Sequence, residues 1–575
     1  MLTLAQYIIL KWKSRAKGNK LPNIWSLPRT ATGEPRESIK QEIDNEHARK
    51  QLYARIKSGI MTDYDDYLAI KEALKGGYTH CNPHYYAKPI IAEPDKGIRI
   101  FSRDKTSFYP YLMLTKTYPY SMKHIDDSAI YDKDLESGDY ATIFTVEFKG
   151  LKLNHDGFPY LSESKGSIKG RLITDNGKVV YADYLADVIT DLDWVTIKNN
   201  YTWKDCRKYN AMQGRKQRLP LPYLLCVTDW YIAKTIYKGD EEKVVIYQNA
   251  KGKVNAIFGM SCTDPCKITI YYLNGKWIDD SEEEEFDIKK YTEEKLIEMC
   301  EKYTSYSVKK GCQLCNLYQW GCYITAYARS IIMEHNIFIG IMNVLYNDTD
   351  STYYVVYSVE EMERINKYFD NYHKNIIQKE LKEALEYINL KIASNEKWNK
   401  KHELLTEESF SPKNNKGESF TIGLMDIEHE LKAFKSLGAK RYSYIYYDKK
   451  KDRDILQPTV AGISKNNMRK YILAKCKMQD KQFYSYDDMW EIMSVFNNNT
   501  YVGMFESGKQ CISYHEEFPD KILVKDHNGL EREVEITTGA CFLKIPFSMK
   551  ENNVTIAERG FADMLDVIDQ FAIEK

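Results

Sequence analysis

The sequence predicts a mixed α+β fold divided among several subdomains, and three observations support this prediction. The chain has 575 residues, which is too long for one hydrophobic core and indicates roughly three or four subdomains. Apolar runs at residues 337–345 and 352–356 flank a short polar segment, a pattern that predicts a β-hairpin. Residues 358–392 have the apolar periodicity of a long amphipathic helix.

Composition indicates a globular protein without a membrane anchor. Hydrophobic residues make up 43 % of the chain and aromatic residues 13 %. Basic and acidic residues both number 82, so net charge does not point to nucleic acid, although a local basic groove is enough to bind phosphates. Twelve cysteines without a secretory signal pattern predict free thiols in a reducing cytoplasm. We expect no membrane span, because no apolar run approaches about 18 residues.

Two carboxylates lie at the tip of the predicted hairpin. Residues 346–351 read Tyr-Asn-Asp-Thr-Asp-Ser, which places Asp348 and Asp350 at the turn. Carboxylates this close repel each other unless a cation lies between them, and oxygen ligands suit Mg²⁺. For an isolated Asp-x-Asp, an ordinary solvated turn is the alternative.

A third carboxylate follows a predicted strand earlier in the chain. The apolar segment at residues 98–101 predicts this strand, and Asp104 comes just after it, ahead of a Tyr-Pro turn. A carboxylate at a strand end can complete the metal site of the hairpin. The alternative is an Asp that only caps a turn.

Two further patterns indicate contacts with phosphates or with a nearby backbone. Lys251 and Asn255 are one helical turn apart and share a face, as a nucleotide-triphosphate site would require; a solvated helix face is the alternative. Gly76 and Gly77 open a turn and permit close approach of the backbone, although a simple turn would also use them.

Other elements are predicted along the rest of the chain. They are a helical, linker-like region at residues 1–75, an α+β block at 115–240 with strands at 140–148 and 158–161 and a helix near 181–191, a hairpin with an Asn-Gly turn within 266–312, a helix that begins near 320, a capping box at Ser358 and Glu361, and an α/β tail to residue 575.

Six motifs occur in an order that resembles family B DNA polymerases. They are Gly-Gly at 76–77, Asp-x-x-Ser-x-Tyr-Pro at 104–110, Lys-x-x-x-Asn-x-x-Phe-Gly at 251–259, Thr-x-x-Ala-Arg at 325–329, Tyr-x-Asp-Thr-Asp-Ser at 346–351 and Lys-x-Tyr at 440–442. The Gly-Gly, Thr-x-x-Ala-Arg and Lys-x-Tyr motifs look like those of the protein-primed branch, which small tailed phages, adenoviruses and linear plasmids encode.

The resemblance implies a right-hand polymerase with a ferredoxin-like antiparallel palm sheet, helical fingers and a small thumb. The implied regions are an N-terminal linker-like region without exonuclease (1–75), palm with motif A (76–114), an insertion resembling terminal-protein region 1 (115–240), fingers with motif B (241–264), an insertion resembling terminal-protein region 2 (265–315), palm with motif C and Lys-x-Tyr (316–455), and thumb with the C-terminal region (456–575).

The resemblance also implies a role for each motif residue. Two Mg²⁺ ions, replaceable by Mn²⁺, would be held by Asp104, Asp348 and Asp350. The incoming dNTP would contact Tyr109, Lys251, Asn255, Phe258 and Gly259, with the Tyr109 ring blocking a ribose 2′-hydroxyl. DNA would contact Gly76, Gly77, Thr325, Arg329, Lys440 and Tyr442. The primer 3′-hydroxyl would attack the α-phosphate in line.

The implied partners follow from the same resemblance. They are primer-template DNA, dNTPs and a terminal protein that the first insertion contacts, with no membrane partner. The exonuclease would be either a separately encoded exonuclease or absent. The second insertion would surround the downstream template. A phage-encoded chain would work in the host cytoplasm.

The sequence departs from the family pattern at three places. Ala256 and Phe258 replace the usual Ser and Tyr of motif B, and Leu74 stands where a Tyr usually precedes Gly-Gly. The third departure is the length before Gly-Gly, since 75 residues are fewer than the roughly 150 of a typical domain, and Asp44-x-Glu46 lies in a charged helical stretch. We therefore expect no proofreading site in this chain.

Three alternatives remain at this stage. Four cysteines around the second insertion could bind zinc, although we favour free thiols: Cys262, Cys266, Cys312 and Cys315. A reverse transcriptase also has paired palm aspartates, but lacks this arrangement of motif B and Lys-x-Tyr. A non-catalytic DNA-binding scaffold derived from a polymerase is the third, and the three retained carboxylates argue against it.

Overall fold

The computed structural model describes nine segments of the chain: residues 64–240, 242–262, 270–273, 276–279, 317–394, 403–460, 465–497, 521–525 and 531–535. Several predictions lie outside the described residues. These are the linker-like region before residue 64 with its Asp44-x-Glu46, three of the four cysteines considered for zinc, the turn of the second-insertion hairpin and most of the C-terminal tail.

The first half of the described chain alternates short helices with long strands. In chain order the elements are α1 Tyr64–Ala73, β1 Thr79–Cys81, β2 Ile90–Ile91, β3 Arg99–Lys105, α2 Phe108–Thr115, β4 Tyr118–Pro119, β5 Lys123–His124, α3 Asp132–Ser137, β6 Tyr140–Leu153, β7 Ser167–Asp175, β8 Lys178–Thr190, α4 Asp191–Asn200, β9 Tyr201–Thr202, β10 Asp205–Gln217, α5 Leu221–Ile236 and α6 Val244–Ser261. Short 3₁₀ turns occupy Pro83–Tyr85, Pro94–Lys96 and Asp127–Ala129.

The second half contains the longest helix among the described residues and the remaining strands. The elements are β11 Ile270–Leu273, β12 Lys276–Asp279, α7 Tyr318–Ile339, β13 Val344–Asp348, β14 Ser351–Val356, α8 Val359–Tyr372, a π-helical turn His373–Ile377, α9 Gln378–Ala393, a 3₁₀ turn Glu407–Ser409, β15 Met425–Ser436, β16 Arg441–Asp448, β17 Arg453–Val460, α10 Lys465–Lys475, α11 Tyr486–Val495, β18 Lys521–Lys525 and β19 Glu531–Glu535.

An eight-stranded antiparallel sheet, here called the central sheet, contains the three predicted metal ligands. Its strand order is β1-β13-β14-β3-β15-β16-β17, and β2 pairs with β15. Helices α7 and α8 pack on one face, where side chains such as Phe101 and Tyr354 join the main hydrophobic core. The other face of the central sheet includes Ile100 and Tyr353. Because side chains alternate along a strand, Asp104 is on the same face of β3 as Ile100, near the end of the strand.

A seven-stranded antiparallel sheet, here called the second sheet, is formed by strands β4 to β10. Its order is β4-β10-β6-β8-β7, with β5 added to β10 and β9 to β6. Trp194 on α4 packs against Phe144 and Phe148 of β6 on one face of the sheet. These rings belong to the same hydrophobic core as Phe101 and Tyr354 of the central sheet, so the two sheets share one core.

Two secondary-structure predictions within residues 115–240 are wrong. The helix expected near residues 181–191 is strand β8, which ends at Thr190, where a capping box with Asp193 starts α4. The strand expected at 158–161 is irregular, because the N–H groups of Phe158 and Tyr160 donate to the side chains of Asn200 and Tyr201 instead of a neighbouring strand. Local apolar content could not distinguish these outcomes.

The central hairpin is present, but its first strand is shorter than predicted. Helix α7 continues to Ile339 and ends at Gly340, whose φ of 103° a residue with a side chain rarely adopts. Strand β13 then begins at Val344. The apolar run at residues 337–345 is therefore divided between a helix end and a strand.

The long helix expected from residue 358 to 392 is confirmed, with a π-helical turn in its middle. Ser358 accepts a hydrogen bond from the Glu361 N–H, as a cap should, while the Glu361 carboxylate accepts from the N–H of Tyr357. The π turn lets His373 Nε2 accept from the N–H of Met425, at the start of β15. In the part of the chain that the structure covers, no helix is both long and apolar enough to cross a membrane.

Candidate active site

Strands β3, β13 and β14 bring three predicted metal ligands to one end of the central sheet. Ser351 pairs with both Asp104 and Asp348 across the strands, so Asp104 and Asp348 flank the start of β14. Asp350 lies in the two-residue turn between β13 and β14. All three side chains line an open pocket of about 380 Å³.

Backbone hydrogen bonds fix the turn that carries Asp350. Thr349 adopts a left-handed conformation with φ of 63°, and its N–H donates to the Tyr78 carbonyl at 2.8 Å. The N–H of Lys105 donates to the Asp350 carbonyl at 2.9 Å. Neighbouring backbones on two sides therefore hold the turn in one conformation.

The pocket concentrates negative charge in a partly buried place. Burial, with the added charges of Asp350 and Glu428, raises the pKa of Asp104 to about 8. Burial likewise raises the pKa of Asp350 to about 6; the turn's own backbone hydrogen bond opposes this shift, and the charge of Asp348 adds to it. A cation bound in the pocket would relieve this repulsion.

The donor set suits Mg²⁺ better than a metal that needs a complete protein cage. Across the described ranges, no group of three or more His, Cys, Asp or Glu side chains is arranged closely enough to hold a metal ion. Mg²⁺ keeps several waters and binds through one or two carboxylates plus substrate phosphates, so clustered oxygens on an open pocket fit it. Lys440 forms an ion pair with Asp348 at the pocket edge.

Glu428 is a pocket carboxylate that sequence reasoning missed. Strand β15 has a register shift between Ile427 and His429, opposite Arg103 and Ser102 of β3. Such a bulge redirects side chains, and Glu428 lines the pocket with the three aspartates. Acids alternate along residues 426–430, but no sequence signal marks where a bulge falls.

Three lysines near the carboxylates were also missed. Lys234 on α5 donates to the Ser107 hydroxyl at 2.7 Å, and burial lowers its pKa to about 8. The charges of Lys234 and Lys238 partly oppose the rise in the pKa of Asp104, so both lie near this carboxylate. Lys465, at the start of α10, lines the pocket from another side.

Motif B lies on α6, which packs beside α5. Lys251 and Asn255 are exposed on one face of this helix, as their spacing predicts. The Phe258 ring lies 4.3 Å from the Tyr109 ring, centroid to centroid, and Gly259 follows it at an exposed position. Burial and the nearby Asp350 raise the pKa of Tyr109 to about 12, so its hydroxyl stays protonated.

The Lys-x-Tyr motif reaches the pocket from β16. The Lys440 N–H donates to the Tyr346 hydroxyl at 2.8 Å, which links this motif to motif C. The Tyr442 ring lies 4.7 Å from Tyr346 and 5.3 Å from Tyr353. Both motif residues line the pocket with the aspartates.

Thr325 and Arg329 do not reach a surface where DNA could touch them, contrary to expectation. Thr325 is buried, and its hydroxyl donates to carbonyls of its own helix. Arg329 is 4 % exposed and donates to Asp193, to the Tyr160 hydroxyl and to the carbonyls of residues 75 and 76. Its charge is thus neutralised inside the protein, between α7 and the second sheet.

Gly77 contacts the turn of Thr349 and Asp350, here called the metal-site turn, whereas Gly76 is exposed and has open space where a side chain would lie. Arg329 holds the Gly76 carbonyl, and a Cβ atom placed on Gly77 would lie 2.5 Å from Thr349 Cγ2. Glycine at position 77 therefore permits a close backbone approach. The close approach was expected, and the neighbouring residue is Thr349 of the metal-site turn.

No protein-family model and no curated protein matches the sequence. The structure is similar to that of "Phi29 DNA polymerase complexed with primer-template DNA (post-translocation binary complex)", with 14 % identity over 93 % of this chain and 73 % of that chain, at a TM-score of 0.50. The Phi29 ternary complex with primer-template DNA and incoming nucleotide gives 16 % identity and a TM-score of 0.49, over 87 % of this chain and 66 % of that one. At these identities the likeness shows the fold, which is polymerase-like.

Proposed function

We propose that this chain is a template-directed DNA polymerase that adds dNTPs to a primer 3′-hydroxyl. One observation carries the proposal: Asp104, Asp348 and Asp350, from motifs far apart in sequence, line a single open pocket at one end of the central sheet. In a right-hand polymerase this sheet would be the palm, α6 would belong to the fingers, and α10 and α11 would belong to the thumb.

The three aspartates would hold Mg²⁺, or Mn²⁺ in its place. Glu428 lies close enough to raise the pKa of Asp104, so it would add its negative charge to the site. Bound Mg²⁺ would supply activation of the primer hydroxyl and neutralisation of the leaving pyrophosphate. The protein itself positions the carboxylates through the turn hydrogen bonds at Thr349 and Asp350.

Positive charge on the fingers side would bind the triphosphate of the dNTP. Lys234 on α5 and Lys238 just after this helix lie near Asp104. Lys251 adds its charge from α6, near enough to lower the pKa of Lys234. Cations fixed in place stabilise the charge that develops on phosphate oxygens during transfer.

The sugar and the primer would be selected by aromatic and basic groups on opposite sides of the pocket. Tyr109, supported by the Phe258 ring, would exclude a ribose 2′-hydroxyl. Lys440 and Tyr442, beside Asp348, would hold the primer terminus. A rigid ring would exclude a ribonucleotide by occupying the space of the 2′-hydroxyl, without any additional contact with the correct dNTP.

We further propose protein-primed replication of a phage or mobile-element genome. The second sheet would contact the terminal protein, whose Ser, Thr or Tyr hydroxyl would receive the first nucleotide. Deletion within residues 115–240 should then abolish initiation on that protein.

Primer extension tests the proposal. Purified chain with labelled primer-template DNA, dNTPs and Mg²⁺ should lengthen the primer, whereas an Asp350→Asn variant should not. A wild-type chain that binds DNA but adds no nucleotide would support a non-catalytic scaffold. Preference for an RNA template would support a reverse transcriptase.

A further inference from the structure

Strand β1 lies directly beside the metal-site turn. Thr79 pairs with Asp348, so the β1 backbone runs alongside one of the pocket carboxylates. The Tyr78 carbonyl accepts from the Thr349 N–H at 2.8 Å, and Gly77 lies against the Thr349 side chain. A shift of β1 would therefore move the turn that carries Asp350.

Side chains of the same segment attach it to the second sheet. His80 Nε2 lies 2.7 Å from Asp175 Oδ2, and both side chains are only 1 % exposed. The next residue, Asn176, donates from Nδ2 to the Cys81 carbonyl at 3.2 Å, and the Tyr78 hydroxyl donates to the Pro159 carbonyl at 3.0 Å. The turn between β7 and β8 thus docks onto β1 through polar contacts.

A buried contact of this kind fixes position strongly. A carboxylate removed from water needs a partner, and loss of the partner leaves a costly buried charge. Asp175 can therefore occupy few positions relative to His80. Since a misplacement of about 1 Å can cost about 100-fold in rate, a contact that fixes β1 can matter for chemistry.

We propose that His80 and Asp175 are a positioning pair through which the second sheet sets the position of the metal-site turn. This inference rests on the proposed polymerase function and extends it. The second sheet then serves every nucleotide addition, including extension of an ordinary DNA primer without a terminal protein, and not initiation alone.

The test uses full-length variants on a DNA primer-template. His80→Leu and Asp175→Asn should each lower kcat about 10- to 100-fold, with KM for dNTP and Kd for DNA within about twofold of wild type. His80→Gln keeps a side-chain N–H that can donate to Asp175 and should recover most of kcat. Combining His80→Leu with Asp175→Asn should cost little more than either alone, because both break one contact.

A matched control separates positioning from general damage. Lys149 and Asp205 form a pair of the same length, 2.7 Å, on the exposed surface of the same sheet, with 63 % and 61 % of their side chains exposed. Asp205→Asn should leave kcat unchanged. All rates are divided by the folded fraction, measured by circular dichroism, so that a merely structural defect cannot imitate the effect.

Hydrogen exchange gives a readout that does not depend on activity. Amides at residues 344–356 should exchange faster in His80→Leu and Asp175→Asn, and at the wild-type rate in His80→Gln and Asp205→Asn. If wild-type protein adds no nucleotide, the polymerase proposal fails. Amide hydrogen exchange then still tests whether His80 and Asp175 fix the position of the metal-site turn. Unchanged exchange together with unchanged kcat per folded molecule would overturn the positioning pair.

Discussion

Two groups of buried carboxylates in this chain differ in the charges that surround them. The pocket group is dominated by other acids and has raised pKa values at two members: Asp104, Asp348, Asp350 and Glu428. The interface group, around the second sheet, pairs with basic side chains at 2.5–2.8 Å: Asp175 with His80, Asp187 with Lys75, Asp191 with Lys216, and Asp193 with Arg329.

The difference lies in the basic partner beside each interface carboxylate. Burial raises the pKa of Asp187 as well, but the Lys75 charge opposes that shift from 2.5 Å. Burial opposes ionisation of Asp193, yet the charge of Arg329, then that of Lys75, and a hydrogen bond from Tyr160 bring its pKa down to about 2.

At Asp104 the charges of Lys234 and Lys238 also favour ionisation, but burial and the neighbouring acids outweigh them and the pKa stays raised. Carboxylates left with excess charge indicate chemistry, whereas carboxylates matched to cations indicate structure.

The largest expected effect comes from removing a pocket carboxylate. Asp104→Ala or Asp350→Ala should lower single-nucleotide incorporation by more than about 1000-fold, because these groups would hold metal at the reacting phosphate. DNA binding, measured by fluorescence anisotropy, should stay within about threefold of wild type. Binding lost in proportion to activity would show that the pocket holds DNA rather than metal.

The second effect concerns stability at the interface group. Asp193→Asn should lower the free energy of unfolding by about 3–5 kcal/mol, since it leaves the Arg329 charge buried without its partner. Urea denaturation followed by circular dichroism measures this. The exposed-pair variant Asp205→Asn is the control and should unfold like wild type; equal losses in both variants would contradict the distinction.

A smaller effect of opposite sign is expected in the pocket. In metal-free protein, Asp350→Asn should raise the free energy of unfolding by about 1 kcal/mol, because it removes one of several crowded negative charges at the expense of function. The same denaturation assay, run with EDTA, measures it. A destabilised Asp350→Asn would mean that the pocket carboxylates are structurally satisfied, like those of the interface group.

The smallest predicted effect is a change in sugar selection. Tyr109→Val should admit ribonucleotides and lower the dNTP preference about 10- to 100-fold, because the ring would no longer occupy the space of a 2′-hydroxyl. Relative kcat/KM for dNTP and rNTP measures the preference. Tyr109→Phe is the control, because it retains the ring and should keep the dNTP preference of wild type. An unchanged dNTP preference in Tyr109→Val would show that Tyr109 does not select the sugar.

The pocket aspartates could be predicted from sequence because their chemistry requires given residue types at strand ends. Asp348 and Asp350 sit at a hairpin tip whose flanking apolar runs are local, and Asp104 ends a strand that is recognisable by itself. Glu428 could not be predicted in the same way, because its direction depends on a bulge in β15 set by the pairing with β3.

The role of Arg329 depended on a partner that is distant in sequence. Its motif suggested DNA, but Asp193 lies 136 residues earlier in the chain and turns the guanidinium inward. The strand at residues 178–190 was missed for a related reason, since pairing with β6 and β7 decides its conformation. Local pattern therefore predicted the ligands, while long-range packing decided which charged residues are structural.

Single-nucleotide incorporation opposite each of the four template bases tests the central claim most directly. With Mg²⁺ and one dNTP at a time, wild-type chain should add the complementary nucleotide by one step in each case, and Asp104→Ala and Asp350→Ala should add none. Addition that ignores the template base, or that persists in both variants, would contradict the assignment of templated DNA synthesis to this pocket.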